Sequence, residues 1–255
     1  MSAPDNVSLA PKSILYLNGV SKSFDGFKAI NNLSLFIKPG ELRAIIGPNG
    51  AGKTTMMDLI TGKLKPDSGE LFFRNDVDLT KYDEAEIANL GIGRKFQKPT
   101  VIENLTVFEN LELTLQGNRG VFESLFFRLS AKGKARIDEV FDIIGLQAKR
   151  DQLAGSLAHG EKQRLEIGML LAQEPELLLI DEPAAGMTDE ETAQLAALLK
   201  RISGERSVIV VEHDMEFIRM LDTEVTVLHE GSVLATGTLA DVKKNERVVE
   251  VYLGR

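Results

Sequence analysis

The stretch Gly47-Pro48-Asn49-Gly50-Ala51-Gly52-Lys53-Thr54-Thr55 carries the spacing G-x-x-x-x-G-K-T. Such residues can hold an anion, because the glycines let backbone N–H groups turn inward and the lysine adds a point charge. The pattern is that of a phosphate loop. Lys53 is expected to reach the β- and γ-phosphates of a nucleotide, and the Thr54 hydroxyl to ligate Mg²⁺. A tight structural turn would account for the glycines but has no need of the lysine. A second group, Leu177-Leu178-Leu179-Ile180-Asp181-Glu182, is an apolar run ending on two carboxylates. Here Asp181 is expected to hold Mg²⁺ and Glu182 to polarise an attacking water. Strand ends often carry solvated charges, so this pair gains its meaning from the phosphate loop. His159, His213 and His229 lack the spacing of zinc ligands, and no second metal cluster is visible.

These groups need elements that aim them. Leu42 to Ile46 is a short apolar strand that runs into the phosphate loop, and MMDLITG after it reads as a helix ending near Gly62. Upstream, Ile14 to Val20 and Ala29 to Ile37 read as strands, punctuated by Asp25-Gly26 and Pro39-Gly40, an antiparallel patch at the front of the domain. Further strands and turns run through Ser68-Gly69 and Leu71 to Phe73. Ala85 to Leu90 reads as a short helix, and Gly91 to Gln97 as a segment leading out of the core. From Val107 to about Leu146 the apolar spacing turns helical, with Val107, Leu111 and Leu115, then Ile137, Val140, Phe141 and Ile144. Phe122, Phe126 and Phe127 lie within this stretch. They are expected to pack a helical lobe, with a docking surface as the alternative. A helix after Leu157, the strand LLLI, a helix from about Asp189 to Ile202, the strand SVIVVEH and a helix at Met215 to Leu221 follow. The strand EVTVLHEG and a helical tail close the sequence. The alternation implies an α/β fold with helices on both faces of a mainly parallel sheet.

Bulk composition narrows the function classes. The 255 residues suffice for one large domain or a domain with an inserted lobe, with 43% hydrophobic and 27% charged residues. A formal charge of -8 and a pI of about 5.1 argue against a nucleic-acid-gripping surface. No cysteine is present, which excludes disulfides and thiolate chemistry. Residues 1–13 read as a polar, flexible leader without the features of a secretory signal. No window approaches the roughly 18 apolar residues of a membrane span, so a membrane role is expected to come through a partner.

Taken together, the motifs resemble the ATP-binding cassette ATPases, a family of P-loop NTPases, over nearly the whole chain from about Ile14. The resemblance implies a RecA-like core with an antiparallel β subdomain and a helical subdomain, at about residues 98–160, inserted into one ATPase domain spanning 14–255. It places Phe24 as the adenine-stacking aromatic beside the loop Gly47 to Thr55. Gln97 matches the glutamine that touches Mg²⁺ and water, Asp181 and Glu182 the metal-holding and catalytic carboxylates, and His213 the switch histidine at the γ-phosphate. Leu157-Ala158-His159-Gly160-Glu161 occupies the signature stretch. The family works as a head-to-tail dimer around two ATP molecules, with the signature of one subunit against the phosphate loop of the other. The expected partners are therefore a second cassette, two transmembrane permease subunits and, indirectly, a periplasmic solute-binding protein, with no nucleic acid. The chain is expected at the cytoplasmic face of a bacterial inner membrane, where the stretch Lys98, Pro99, Thr100, Val101, Ile102 and Glu103 would receive a helix of a permease.

Two departures from the family pattern stand out. Ala158 replaces the serine whose hydroxyl usually bonds the opposing γ-phosphate. A lost hydrogen bond to a charged group costs roughly 1.5–3 kcal/mol, about tenfold to a hundredfold in rate if felt fully in the transition state. Backbone donors at Gly160 and the following helix start are expected to retain part of the signature's function. Thr188 stands where many cassettes carry an aspartate that couples the two sites.

PAAGM and LEIGMLLAQEP look like the importers of branched-chain amino acids and their relatives. Within that branch, GRKFQKPTVIENLTVFENLEL and GEKQRLEIGM are most similar to the ATPases of urea importers. The sequence reading is thus an ATPase driving urea import, with branched-chain amino acids or short amides as the alternative cargo. A soluble cassette acting as scaffold or regulator is the reading from another class.

Overall fold

The computed structural model describes residues 12–95, 100–115 and 129–253. Strands β1 (Leu15–Phe24) and β2 (Phe27–Ile37) pair antiparallel through a turn at Asp25 and Gly26. Both turn residues have positive φ, 47° and 86°, the combination that a tight type I′ hairpin requires and that Asp-Gly supplies. The turn sets Phe24 directly opposite Phe27. With β4 (Ser68–Phe73) and β5 (Val77–Asp78) these strands form a four-stranded sheet in the order β2-β1-β4-β5.

The second sheet has the order β10-β9-β3-β8-β7-β6. Its inner strands β3 (Leu42–Ile46), β7 (Leu177–Asp181) and β8 (Ser207–Val211) are buried along their whole length. Near-continuous apolar runs are what a parallel sheet covered on both faces demands. Strand β3 pairs parallel with β8 and with β9 (Glu224–His229), and β7 pairs parallel with β8 and with β6 (Ile92–Lys95). Alternate residues face two apolar layers. Ala44, Leu178 and Val210 join a cluster shared with the helices, whereas Ile45, Leu179 and Val211 join the cluster beneath the antiparallel sheet.

Two elements differ from the sequence reading. The segment after Gly91 does not lead out of the core; Ile92–Lys95 is the edge strand β6. Before the helical tail, the chain makes one more strand, β10 (Ser232–Gly237), antiparallel to β9.

Helices α1 (Lys53–Ile60) and α2 (Glu84–Leu90) follow β3 and β5. Helices α3 (Val107–Thr114) and α4 (Ala131–Ile144) bury Val107, Leu111, Ile137, Val140, Phe141 and Ile144, the positions set by helical spacing. They pack with helix α5 (His159–Leu171) through Leu165 and Leu171. Truncating a side chain as buried as Phe141 to alanine costs about 3–5 kcal/mol. Helices α6 (Asp189–Ile202), α7 (Met215–Leu221), α8 (Leu239–Lys244) and α9 (Glu246–Leu253) complete the chain. Phe122, Phe126, Phe127 and Gln97 lie outside the described residues.

Candidate nucleotide site

The order β3-β8-β7 places three parallel strands side by side, and each delivers a functional group at its C-terminal end. The phosphate loop follows β3, His213 follows β8, and Asp181 and Glu182 close β7. Open α/β sheets bind ligands at this edge, where side chains and helix starts converge. A cleft of ≈ 450 Å³ opens there, lined by Phe24, Phe27, Ala29, Asn49, Gly50, Ala51, Gly52, Lys53, Thr54, Thr55, Asp181 and Glu182. Residues from both sheets, as far apart in sequence as Phe24 and Glu182, therefore share one surface.

The loop's shape depends on its glycines. At Gly52, φ is 99° and a Cβ would sit 2.6 Å from the Ala29 carbonyl oxygen. At Gly47 a Cβ would lie 2.4 Å from the carbonyl oxygen of Leu228. Any side chain at either position would push the loop off β2 or β9. Lys53 Nζ donates to the carbonyl oxygens of Gly47 (2.6 Å) and Pro48 (3.1 Å), so its ammonium folds back over the loop. Burial draws its pKa below the usual lysine range, while Glu182 and Asp181 pull it back up. An anion in the loop would offset that burial cost.

Asp181 is buried, and burial raises its pKa; the Arg94 guanidinium, 3.5 Å away, acts in the opposite direction, and Glu182 adds to the rise. Arg94 also pairs with Asp58 of α1 at 2.5 Å, tying the phosphate-loop helix to β6 and β7. Glu182 sits at φ 44°, a left-handed conformation that non-glycine residues adopt at a cost of about 1–3 kcal/mol, held by its N–H bond to the Val211 carbonyl. His213 Nδ1 lies 3.5 Å from Glu182 Oε1, which joins the ends of β7 and β8.

The donor set suits Mg²⁺. Thr54 and Asp181 offer one hydroxyl and one poorly solvated carboxylate to the same cleft, and no group of three or more His, Cys, Asp and Glu is poised for a metal among the described residues. An ion that keeps most of its ligands as water and phosphate oxygens needs no more from the protein.

Phe24 is 41% exposed at the cleft mouth, and Phe27, which the sequence reading passed over, is 66% exposed beside it. The Asp-Gly turn was the available signal, since it must bring the flanking residues face to face.

The signature stretch lies at the start of α5, away from the cleft lining. Ala158 occupies the helix N-cap position, where it has no side-chain oxygen to offer. Its N–H donates to Glu161 at 3.1 Å, the surviving half of a capping box. The expected free backbone donor at Gly160 is not free: its N–H donates to Glu191 Oε1 at 3.0 Å. His159 Nε2 lies 3.1 Å from the Ala185 carbonyl oxygen. Thr188, the second departure, caps α6, with its hydroxyl accepting from Glu191 N–H at 3.3 Å. Leu157 is buried in the helical cluster. Further along α5, Glu166 pairs with Lys95 at 3.1 Å, each side chain 3% exposed, and accepts the Thr100 N–H at 2.6 Å. Helix α5 is thereby fastened on either side of residues 96–99.

Comparison with known proteins agrees with this geometry. Residues 30–185 match the ABC transporter family, and residues 232–255 match the family described as branched-chain amino acid ATP-binding cassette transporter. The chain is 34% identical over 250 residues to the high-affinity branched-chain amino acid transport ATP-binding protein LivG of Escherichia coli K12, covering 94% of this chain and 98% of that one. It superposes on a crystal structure of the ADP conformation of an ATP-binding cassette with a TM-score of 0.82 and 29% identity, over 95% of this chain and 99% of that one. A dimeric cassette in a post-hydrolysis state with ADP and Pi gives a TM-score of 0.72 at 29% identity, over 88% and 98% of the two chains. No helix among the described residues is long and apolar enough to cross a membrane. The chain belongs to the ABC transporter family, as an ATPase of its branched-chain amino acid branch.

Proposed function

We propose that this chain hydrolyses ATP at the cleft described above to drive an importer for branched-chain amino acids. The observation that carries the reading is the convergence of Lys53, Asp181, Glu182 and His213 at the ends of three adjacent strands, with Phe24 at the mouth. Phe24 stacks on the adenine. The N–H groups of Gly47 to Thr55 and the Lys53 ammonium neutralise the β- and γ-phosphates. Thr54, Asp181 and Gln97 would hold Mg²⁺, which would supply further positive charge at the phosphates. Glu182 orients a water and takes its proton as the water oxygen bonds to the γ-phosphorus and the bond to the β–γ bridging oxygen breaks. His213 holds the γ-phosphate beside Glu182.

Completion of the site falls to a second cassette, another copy or a homologue, whose signature residues Leu157 to Glu161 face the nucleotide in a head-to-tail dimer. Residues 98–160 act as a helical subdomain inserted in the core, and two permease subunits dock on it at the cytoplasmic face of the membrane. A periplasmic solute-binding protein delivers the cargo. The relatedness to LivG and the C-terminal match support a branched-chain cargo over urea. The stretches GRKFQKPTVIENLTVFENLEL and GEKQRLEIGM keep urea as the second reading.

Uptake of labelled leucine and labelled urea, in cells lacking this gene and complemented with the native chain or Glu182→Gln, tests both. Leucine uptake restored by the native chain alone is the expected result. Urea uptake restored instead would move the cargo to urea, and no response of either would remove both cargoes and give weight to a non-transport cassette.

A further inference from the structure

Glu212 is the last residue before His213, and its side chain is 1% exposed. Both of its oxygens are used. Oε1 accepts the backbone N–H of Ala184 at 3.0 Å, while Oε2 accepts those of His213 at 2.8 Å and Asp214 at 3.3 Å. Its own N–H donates to the Ile45 carbonyl of β3 at 3.1 Å. One carboxylate therefore spans two strand exits, the one that leaves Glu182 and the one that carries His213, and its backbone is anchored to the strand that leads into the phosphate loop.

We infer that Glu212 is a positioning residue for hydrolysis, its carboxylate fixing the exits of β7 and β8 so that His213 stands beside Glu182. This rests on the roles given above to Glu182 and His213. A carboxylate is the group that can do it, because it accepts on both oxygens, whereas an amide presents one oxygen and one NH₂. In Glu212→Gln, one of the two exits meets a donor where it needs an acceptor, and a buried N–H loses its partner. The strand exit then shifts, and the 3.5 Å approach of His213 to Glu182 is lost. Displacements of about 1 Å at a reacting centre can cost on the order of a hundredfold in rate. The phosphate loop and Phe24 lie on other segments, so nucleotide binding stays.

Because Glu212 acts through His213, its loss and that of His213 are not independent. ATPase activity of the full chain, in complex with its permeases, is measured for Glu212→Gln, His213→Ala and the double variant. The expected result is a kcat lowered about tenfold to a hundredfold in Glu212→Gln, with the KM for ATP little changed. The double variant should be slower than His213→Ala alone by much less than the loss seen in Glu212→Gln. A wild-type kcat in Glu212→Gln, or losses that multiply in the double variant, would overturn the inference. If Glu212→Gln does not fold, Glu212→Asp, which keeps both acceptors on a shorter arm, carries the same cycle. Glu182→Gln assayed alongside separates the two levels. Full hydrolysis there removes the underlying reading of the site, whereas lost hydrolysis there with multiplying losses at Glu212 removes this inference alone.

Discussion

The two halves of the site are built differently. At the ends of β3, β7 and β8, the candidate groups converge on an open cleft, and Lys53 donates to carbonyls of its own loop. At the start of α5, the signature residues are engaged within their own chain. Glu191 holds the Gly160 N–H, and the Ala185 carbonyl faces His159. The first half opens to solvent as a cleft. In the proposed head-to-tail dimer, the second half would have to release these internal bonds to face an opposing phosphate. A helix start serves as an anion site only when its donors are unclaimed, and here a carboxylate of the same chain claims one.

Substitutions in the two halves should therefore behave differently. The largest effect belongs to Glu182→Gln, which removes the acceptor for the water's proton while keeping shape. ATP hydrolysis should fall about a hundredfold to ten-thousandfold, with ATP affinity retained, as measured by nucleotide titration. Next, Lys53→Ala removes a charged partner of the phosphates and should weaken ATP binding about tenfold to a hundredfold. Loss of hydrolysis with unchanged affinity would place Lys53 outside the ground-state contacts.

Ala158→Ser acts on the other half. A serine there fills the vacant N-cap of α5 and should stabilise the isolated chain by about 1 kcal/mol, seen as a higher Tm. The assembled complex should also hydrolyse ATP up to about tenfold faster. A rise in Tm without a rise in rate would show that the signature works without that hydroxyl. The smallest effect concerns the Gly160 contact. Backbone bonds from Thr188 and Gly160, with the Thr188 hydroxyl, hold the Glu191 pKa below its ordinary 4.5. The sign follows: a depressed carboxylate pKa stabilises above the ordinary value, and that contribution disappears as pH falls through the depressed one. The Gly160 amide proton resonance should stay fixed at neutral pH and move only below pH 4.5. Movement near neutrality would break the assigned contact.

Legibility in the sequence followed how local each signal was. Asp189–Ile202 and Met215–Leu221 announce themselves through their apolar spacing, and the phosphate loop through the fixed spacing of its own glycines, lysine and threonines. Strand β6 is hard to read because Gly93, Arg94 and Lys95 interrupt any apolar run after Ile92. The Arg94 and Lys95 side chains are buried with Asp58, Asp181 and Glu166, far away in sequence, paired to them. Strand β10 is a partly exposed edge and lacks a clean alternation. Glu212 and Glu191 carried no signal in isolation, since an acid beside a histidine or in a helix's first turn is commonplace. Their partners Ala184 and Gly160 lie 28 and 31 positions away. The apolar strand SVIVV running into a carboxylate repeats the pattern of LLLIDE, and that parallel was the available clue to Glu212.

In the proposed cycle the cleft binds ATP alone and hydrolyses it only when a second cassette supplies the signature. Sedimentation of the Glu182→Gln chain with and without ATP tests this most directly. The predicted result is a monomer without nucleotide and, with ATP, a dimer holding one ATP per chain, provided this chain pairs with itself. If it pairs with a homologue, the same shift should appear on adding that subunit. A chain that binds ATP, stays monomeric with every candidate partner and, as the native form, hydrolyses it at full rate alone would contradict the account.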